Sequence, residues 1–158
     1  MANLWEPMLL KALQYNCARG GQVMEAVLES AVKRGVDLGL LQEPRGEKER
    51  DSICSHPSFM FIKGDEGVAG KCWIAVNRGS RCRVTELKTL TQECWNHVQV
   101  VEVVPLGGDT IIIANVYDRQ EGRNEANRPA QRAAWGEIAK HRRVIVTGDM
   151  NCGTGVVS

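Results

Sequence analysis

Four apolar runs in this chain each deliver oxygen- or amide-bearing side chains at their ends. The first closes on Gln14, Tyr15 and Asn16, the second on Gln42 and Glu43 before Pro44. A third closes on Asn115 and Tyr117, and the last on Gly148, Asp149 and Asn151. A carboxylate and an amide from separate strands are oxygen ligands suited to a hard cation such as Mg²⁺. That ion takes one or two carboxylates and keeps its remaining positions for water and phosphate. Singly, each residue has an ordinary explanation. Asn or Asp after a strand is a turn former or helix cap, Glu43 before a proline is a solvated loop acid, and Tyr117 is a half-buried strand residue. Jointly, an Asn, a Glu, a Tyr and an Asp-x-Asn at successive strand ends are harder to assign to turn chemistry.

The elements that position these residues follow from the apolar periodicity. MLLKALQYN (Met8 to Asn16) predicts a first strand, broken by Gly20 and Gly21. Val23, Val27 and Ala31, with Met24, Leu28 and Val32, recur at helical spacing, so QVMEAVLESAVKR is an amphipathic helix. Gly35 ends it, and VDLGLLQ (Val36 to Gln42) is a second strand stopped by Pro44. Strand, helix, strand with short joints predicts a βαβ unit whose two strands lie parallel. FMFIK, KCWIAVN, RCRVTELKTL, CWNHVQVVEVV and DTIIIANVY then succeed one another without a helical pattern. They predict an antiparallel meander with a hairpin over the last two runs. RNEANRPAQRAAWGEIAKH reads as a helix with Pro129 in its first turn, and VIVT as a final strand.

The bounds are those of one soluble domain. The 158 residues suffice for a sizeable core, and the net charge of +1 points to no partner, so nucleic-acid binding would need local basic patches. No apolar run approaches membrane-spanning length, and no leader pattern opens the chain, so no membrane is expected as a partner. The six cysteines form no CxxC pair, which favours reduced thiols in an intracellular protein over a disulfide framework. The three histidines do not fall at zinc-ligand spacing with them.

LQYNCARG, LLQEPRG, IIIANVYDRQ and VIVTGDMN, in that order, resemble the successive motifs of the endonuclease/exonuclease/phosphatase family. They are most similar to the endonuclease domains of LINE-type, non-LTR retrotransposons, and KCWIAVNRGSR resembles the strand after the second motif there. The likeness runs from about Leu9 to Asn151. It implies an α/β (α+β) fold of DNase I-like type, a two-sheet sandwich flanked by helices. It also implies divalent-metal hydrolysis of phosphoesters with Mg²⁺, or Mn²⁺ in its place. By position, Glu43 matches the metal-binding glutamate and Asn16 the asparagine beside it. Tyr117 matches the phosphate-contacting tyrosine, Asp149 the aspartate that orients the attacking water, and Asn151 the asparagine that stabilises the transition state. The chemistry agrees, since phosphodiester hydrolysis needs a cation, an aligned water and donors for the developing oxyanion.

The family pattern continues past GDxN to a Ser-Asp motif and a final Asp-His pair, whereas this sequence runs to Ser158. The expectation is therefore a single domain over residues 1–158 that is incomplete at its C-terminus, with weak or absent nicking. Its sheet edges would be left unpaired. His141, in AKHRRV ahead of the last strand, does not replace the missing histidine, and its place at a charged helix end explains it. Arg19, Arg45, Arg119 and Arg123, with Lys48, Arg50 and Arg128, flank the motif loops as candidate contacts to a phosphate backbone. The expected partner is double-stranded DNA, the expected context fusion to a reverse transcriptase, and the location nuclear if chromosomal DNA is cut. Two other readings are a catalytically dead remnant that binds nucleic acid or protein, and a phosphatase of a small phosphorylated substrate.

Overall fold

Period-two alternation along the strands sorts the apolar residues onto two faces, and the architecture follows from where each face is buried. In the computed structural model, residues 9–44, 55–63, 72–87, 98–117 and 128–149 are described. Strand β1 (Ala12–Asn16), helix α1 (Gly21–Lys33) and strand β2 (Leu38–Gln42) form the expected unit, with β1 and β2 parallel and Asn16 opposite Gln42. Gly35 ends α1 as the sequence predicts. Its φ of +63° lets its N–H reach the Val32 carbonyl while the Val36 N–H reaches that of Ala31, which satisfies two carbonyls at the helix end.

The middle of the chain departs from a single meander. Strands β3 (Phe59–Ile62) and β4 (Cys72–Asn77) join the first pair, giving a sheet of order β1-β2-β4-β3. Strands β5 (Cys82–Glu86), β6 (Val98–Pro105) and β7 (Ile111–Tyr117) pair antiparallel in a second sheet, with the expected hairpin over the last two. The reason lies in β4. Residues 72–76 are all buried, so the strand is covered on both faces, and β2 and β3 occupy its two edges. No edge remains for β5, whose side chains alternate between half-buried and exposed. Helix α2 (Arg128–Ala139) then leads to β8 (Val144–Asp149), which closes the second sheet parallel to β7 in the order β5-β6-β7-β8. Pro129 falls in the first turn of α2.

Three apolar layers result. Met24, Leu28 and Ala31 of α1 pack on Leu41, Phe59, Trp73 and Ala75 on the outer face of the first sheet. Leu38, Leu40, Ile74 and Val76 meet Val101, Val103 and Ile113 between the sheets. Val98, Val100, Ile112, Ala114 and Val116 on the far face of the second sheet pack with Ile138 of α2. The order helix, sheet, sheet, helix matches the two-sheet α+β sandwich expected from the sequence.

Gly148 carries the tightest steric constraint in β8. Its φ is +142°, and a Cβ there would lie 1.9 Å from the Val116 carbonyl oxygen on the adjoining strand. Neither the dihedral nor the gap admits another residue. Gly148→Ala is expected to lower stability by about 4 kcal/mol or more, read as a loss of the cooperative urea transition; an unchanged midpoint would contradict this packing.

Candidate active site

The same alternation that builds the layer between the sheets carries polar side chains toward one end of it. In β2, Leu38 and Leu40 face the second sheet, and Gln42 is next on that side. In β7, Ile111 and Ile113 are followed by Asn115 and Tyr117. Beside them in the same sheets, Gln14 and Asn16 lie on one face of β1, and Asp149 closes β8. Both parallel pairs, β1 with β2 and β7 with β8, therefore end at the same rim, where strand carboxyl ends project into a shared crevice.

Directly below the rim lies a closed network of amides. Gln42 and Asn115 are fully buried. The Gln42 amide donates to Asn115 Oδ1 at 2.5 Å and to the Leu40 carbonyl at 3.2 Å, while its own oxygen accepts from Gln14 at 2.5 Å. The Asn115 amide donates to the Leu41 and Trp73 carbonyls at 3.2 and 3.1 Å. Both donors and the acceptor of each amide are thus engaged, which buried polar groups require. The bond from Gln42 to Asn115 crosses from one sheet to the other. The sequence shows these three residues only as polar strand ends; the signal for their role is that each continues the apolar parity of its inner face.

Above the network the sheets meet again. Asn16 Nδ2 donates to Asp149 Oδ2 at 2.8 Å across the gap, and Asn16 Oδ1 accepts from the Ala18 N–H at 2.8 Å. Asp149 stands opposite Tyr117 in the parallel register of β7 and β8, and Tyr117 is buried. Glu43 leaves β2 with φ +44°, its carboxylate largely covered and 3.3 Å from the Nε of Arg19. The Arg19 N–H also donates to the Glu43 carbonyl at 2.7 Å.

Of the residues singled out by the sequence, Asn16, Arg19, Glu43, Tyr117 and Asp149 converge on this rim. Asn151, Arg45, Arg119 and Arg123 lie outside the described residues, as do Lys48 and Arg50. His141 is exposed at the amino end of β8, opposite to Asp149. His56 is buried, ring to ring with Phe59 at 5.3 Å and accepting from the Ser58 N–H at its Nδ1. Its Nε2 lies 3.4 Å from Glu29 without hydrogen-bond geometry. Among the described residues no group of three His, Cys, Asp or Glu side chains converges. The donor set here is instead two carboxylates and an amide carbonyl. It is wholly of oxygen type, which suits a hard divalent cation that retains several waters.

Cys17 adjoins this site without the character of a nucleophile. It is fully buried against α1, and burial pushes its thiol from the ordinary 9.0 up to about 11. A thiol so placed is unreactive near neutral pH.

No family model matches the chain, and no curated protein matches it in sequence. Among solved structures it is similar to the endonuclease domain of TRAS1, a telomere-specific non-LTR retrotransposon. The TM-score is 0.69 at 20% identity, covering 90% of this chain and 59% of that one. It is also similar to D. rerio TDP2. A humanized form gives a TM-score of 0.55 at 14% identity, covering 90% of this chain and 62% of that one. A complex with single-strand DNA product gives 0.56 at 14% identity, with 90% and 60% covered. The fold is thus the DNase I-like two-sheet sandwich that these structures share, and the chain spans about three fifths of the length of the structures it matches.

Two outcomes follow from the buried groups. Asn115→Leu strands the Gln42 amide and removes the donor to two carbonyls, so chemical denaturation should show a loss of about 2–4 kcal/mol. For Cys17 the folded pKa is raised, so the folded state holds its proton where the unfolded chain releases it. The associated stability is complete below pH 9 and is lost as pH rises toward 11, on the order of 2 kcal/mol in all. Urea midpoints at pH 8 and 10.5 should fall further for the native protein than for Cys17→Ala.

Proposed function

We propose that this chain is the core of a metal-dependent phosphodiesterase domain, acting on DNA as the nicking endonuclease of a non-LTR retrotransposon. The observation that carries this reading is the Asn16–Asp149 bond, which joins the ends of two strands 133 positions apart beside Glu43 and Tyr117. Turn formers and helix caps serve their own neighbours and give no reason for such a pair. The likeness to the TRAS1 endonuclease domain, and to TDP2 with its single-strand DNA product, supports a DNA substrate.

In this reading Glu43 and Asn16 hold Mg²⁺, or Mn²⁺ in its place. The cation, when bound, offsets charge on the phosphoryl oxygens. Asn16 fixes one oxygen of Asp149, and so orients the carboxylate that aligns the attacking water. The Tyr117 hydroxyl and the Asn151 amide serve as donors to phosphate oxygens as charge develops there. Arg19, Arg45, Arg119 and Arg123 contribute contacts to the phosphate backbone that set affinity without reading bases. The residues span one domain, for which we propose fusion to a reverse transcriptase and a nuclear site of action.

The test is conversion of supercoiled plasmid to the open circle in Mg²⁺. Glu43→Ala should reduce it by roughly a hundredfold or more, because a cation at the reacting phosphate contributes several kcal/mol. Nicking that persists in chelator, or in Glu43→Ala, would refute the reading. Salt-sensitive DNA binding without cleavage, from folded protein, would favour a binding role instead. Hydrolysis of a soluble phosphomonoester in preference to plasmid would favour a phosphatase.

A further inference from the structure

Among the described residues, positive φ outside glycine occurs at Ala18, Arg19 and Glu43, all at the rim of the site. Two of the three are tied to each other. The Arg19 N–H donates to the Glu43 carbonyl at 2.7 Å, and the side chains then meet, Nε to Oε1, at 3.3 Å. The Glu43 side chain is only 15% exposed and that of Arg19 42%. A carboxylate so far withdrawn from water needs compensating positive charge, and a guanidinium supplies it at any physiological pH. The backbone bond fixes the spacing of the two main chains, so pairing costs only the rotamer freedom of the two side chains.

We propose that Arg19 is a built-in counter-cation for Glu43, which a divalent metal ion must displace or tolerate, so that Arg19 sets the metal affinity of the site. The proposal rests on the reading of Glu43 as a metal ligand. Only the Nε of Arg19 meets Glu43, so the ion pair is compatible with a phosphate contact through the rest of the guanidinium, and metal binding without DNA is what separates the two roles. The sign is the same by either route. Competition for the carboxylate and repulsion between like charges both weaken binding of the divalent ion. A residue that served only as a phosphate contact would leave metal binding without DNA unaltered.

The experiment is titration of Mn²⁺ without DNA, following the free-ion signal by electron paramagnetic resonance. It compares the native chain with Arg19→Ala, Arg19→Gln and Glu43→Ala, each checked for folding by circular dichroism. Both neutral variants at Arg19 should bind Mn²⁺ roughly two- to tenfold more tightly, the range expected for a partly exposed ion pair facing a doubly charged ion. Glu43→Ala should lose the site. The glutamine variant keeps hydrogen-bonding capacity without charge, and it decides the matter if the alanine variant fails to fold. Unchanged or weaker binding in the Arg19 variants, with Glu43→Ala still inactive in binding, overturns the proposal and leaves the metal site standing. Mn²⁺ binding that survives Glu43→Ala overturns both.

Discussion

Two sheets stacked through Leu, Ile and Val are attracted over their whole area, but apolar contact does not by itself fix how far one lies along the other. Directional bonds do. Among the described residues the bonds that run from sheet to sheet within the layer are those of Gln42 to Asn115, of Asn115 to the Leu41 and Trp73 carbonyls and of Gln99 to the Ile62 carbonyl, and every donor and acceptor of the Gln42 and Asn115 amides is engaged. Sliding either sheet would leave several of these groups buried without partners, each at a cost of about 1–3 kcal/mol. The Asn16–Asp149 contact lies two residues farther along β1 than Gln14 and two farther along its sheet's register than Asn115. The geometry of the rim therefore inherits the offset that the amides below it enforce.

That arrangement has a topological origin. Each sheet contains one parallel pair built by a strand, a helix and a strand, and the helices cover the two outer faces. Parallel pairs bring carboxyl ends together, and stacking two such sheets brings four of them to one end of the layer. The antiparallel strands β3, β4, β5 and β6 extend the sheets and supply the apolar area between them, including Ile74, Val76, Val101 and Val103. Their buried residues are apolar apart from Gln99 of β6, whose amide donates to the Ile62 carbonyl of β3, and the candidate site residues gather at the ends of the strands that run parallel.

Much of this was legible before the structure. Helix α1, its stop at Gly35, both parallel-unit strands and the β6–β7 hairpin follow from spacing and turn residues, because those signals are local. The division of the central runs between two sheets was not. Alternation along β4 and β5 states which side chains share a face, whereas sheet membership depends on which edges remain open, a property of the assembled layer. Likewise Asn16, Glu43, Tyr117 and Asp149 stood out by their types at strand ends. Gln14, Gln42 and Asn115 stood beside them without a role, since the partners of the three amides, and the burial of Gln42 and Asn115, are set only once the sheets are stacked. Arg19 read as a phosphate contact because nothing in the order of residues shows that it folds back onto Glu43.

The segment from Cys17 to Gly20 shows how the rim tolerates its strain. A non-glycine residue in the left-handed region costs about 1–3 kcal/mol and persists only where its surroundings determine it. Here four consecutive N–H groups are all engaged: Cys17 to the Gln42 carbonyl, Ala18 to the Asn16 side chain, Arg19 to the Glu43 carbonyl and Gly20 to the Cys17 carbonyl. Cys17 itself is sealed in the core beneath α1. A turn tied at every residue cannot relax to a commoner conformation without giving up several bonds at once. The backbone between Asn16 and α1 is consequently fixed against the end of β2, with the Asn16 side chain and the Gln42 and Glu43 carbonyls as its anchors.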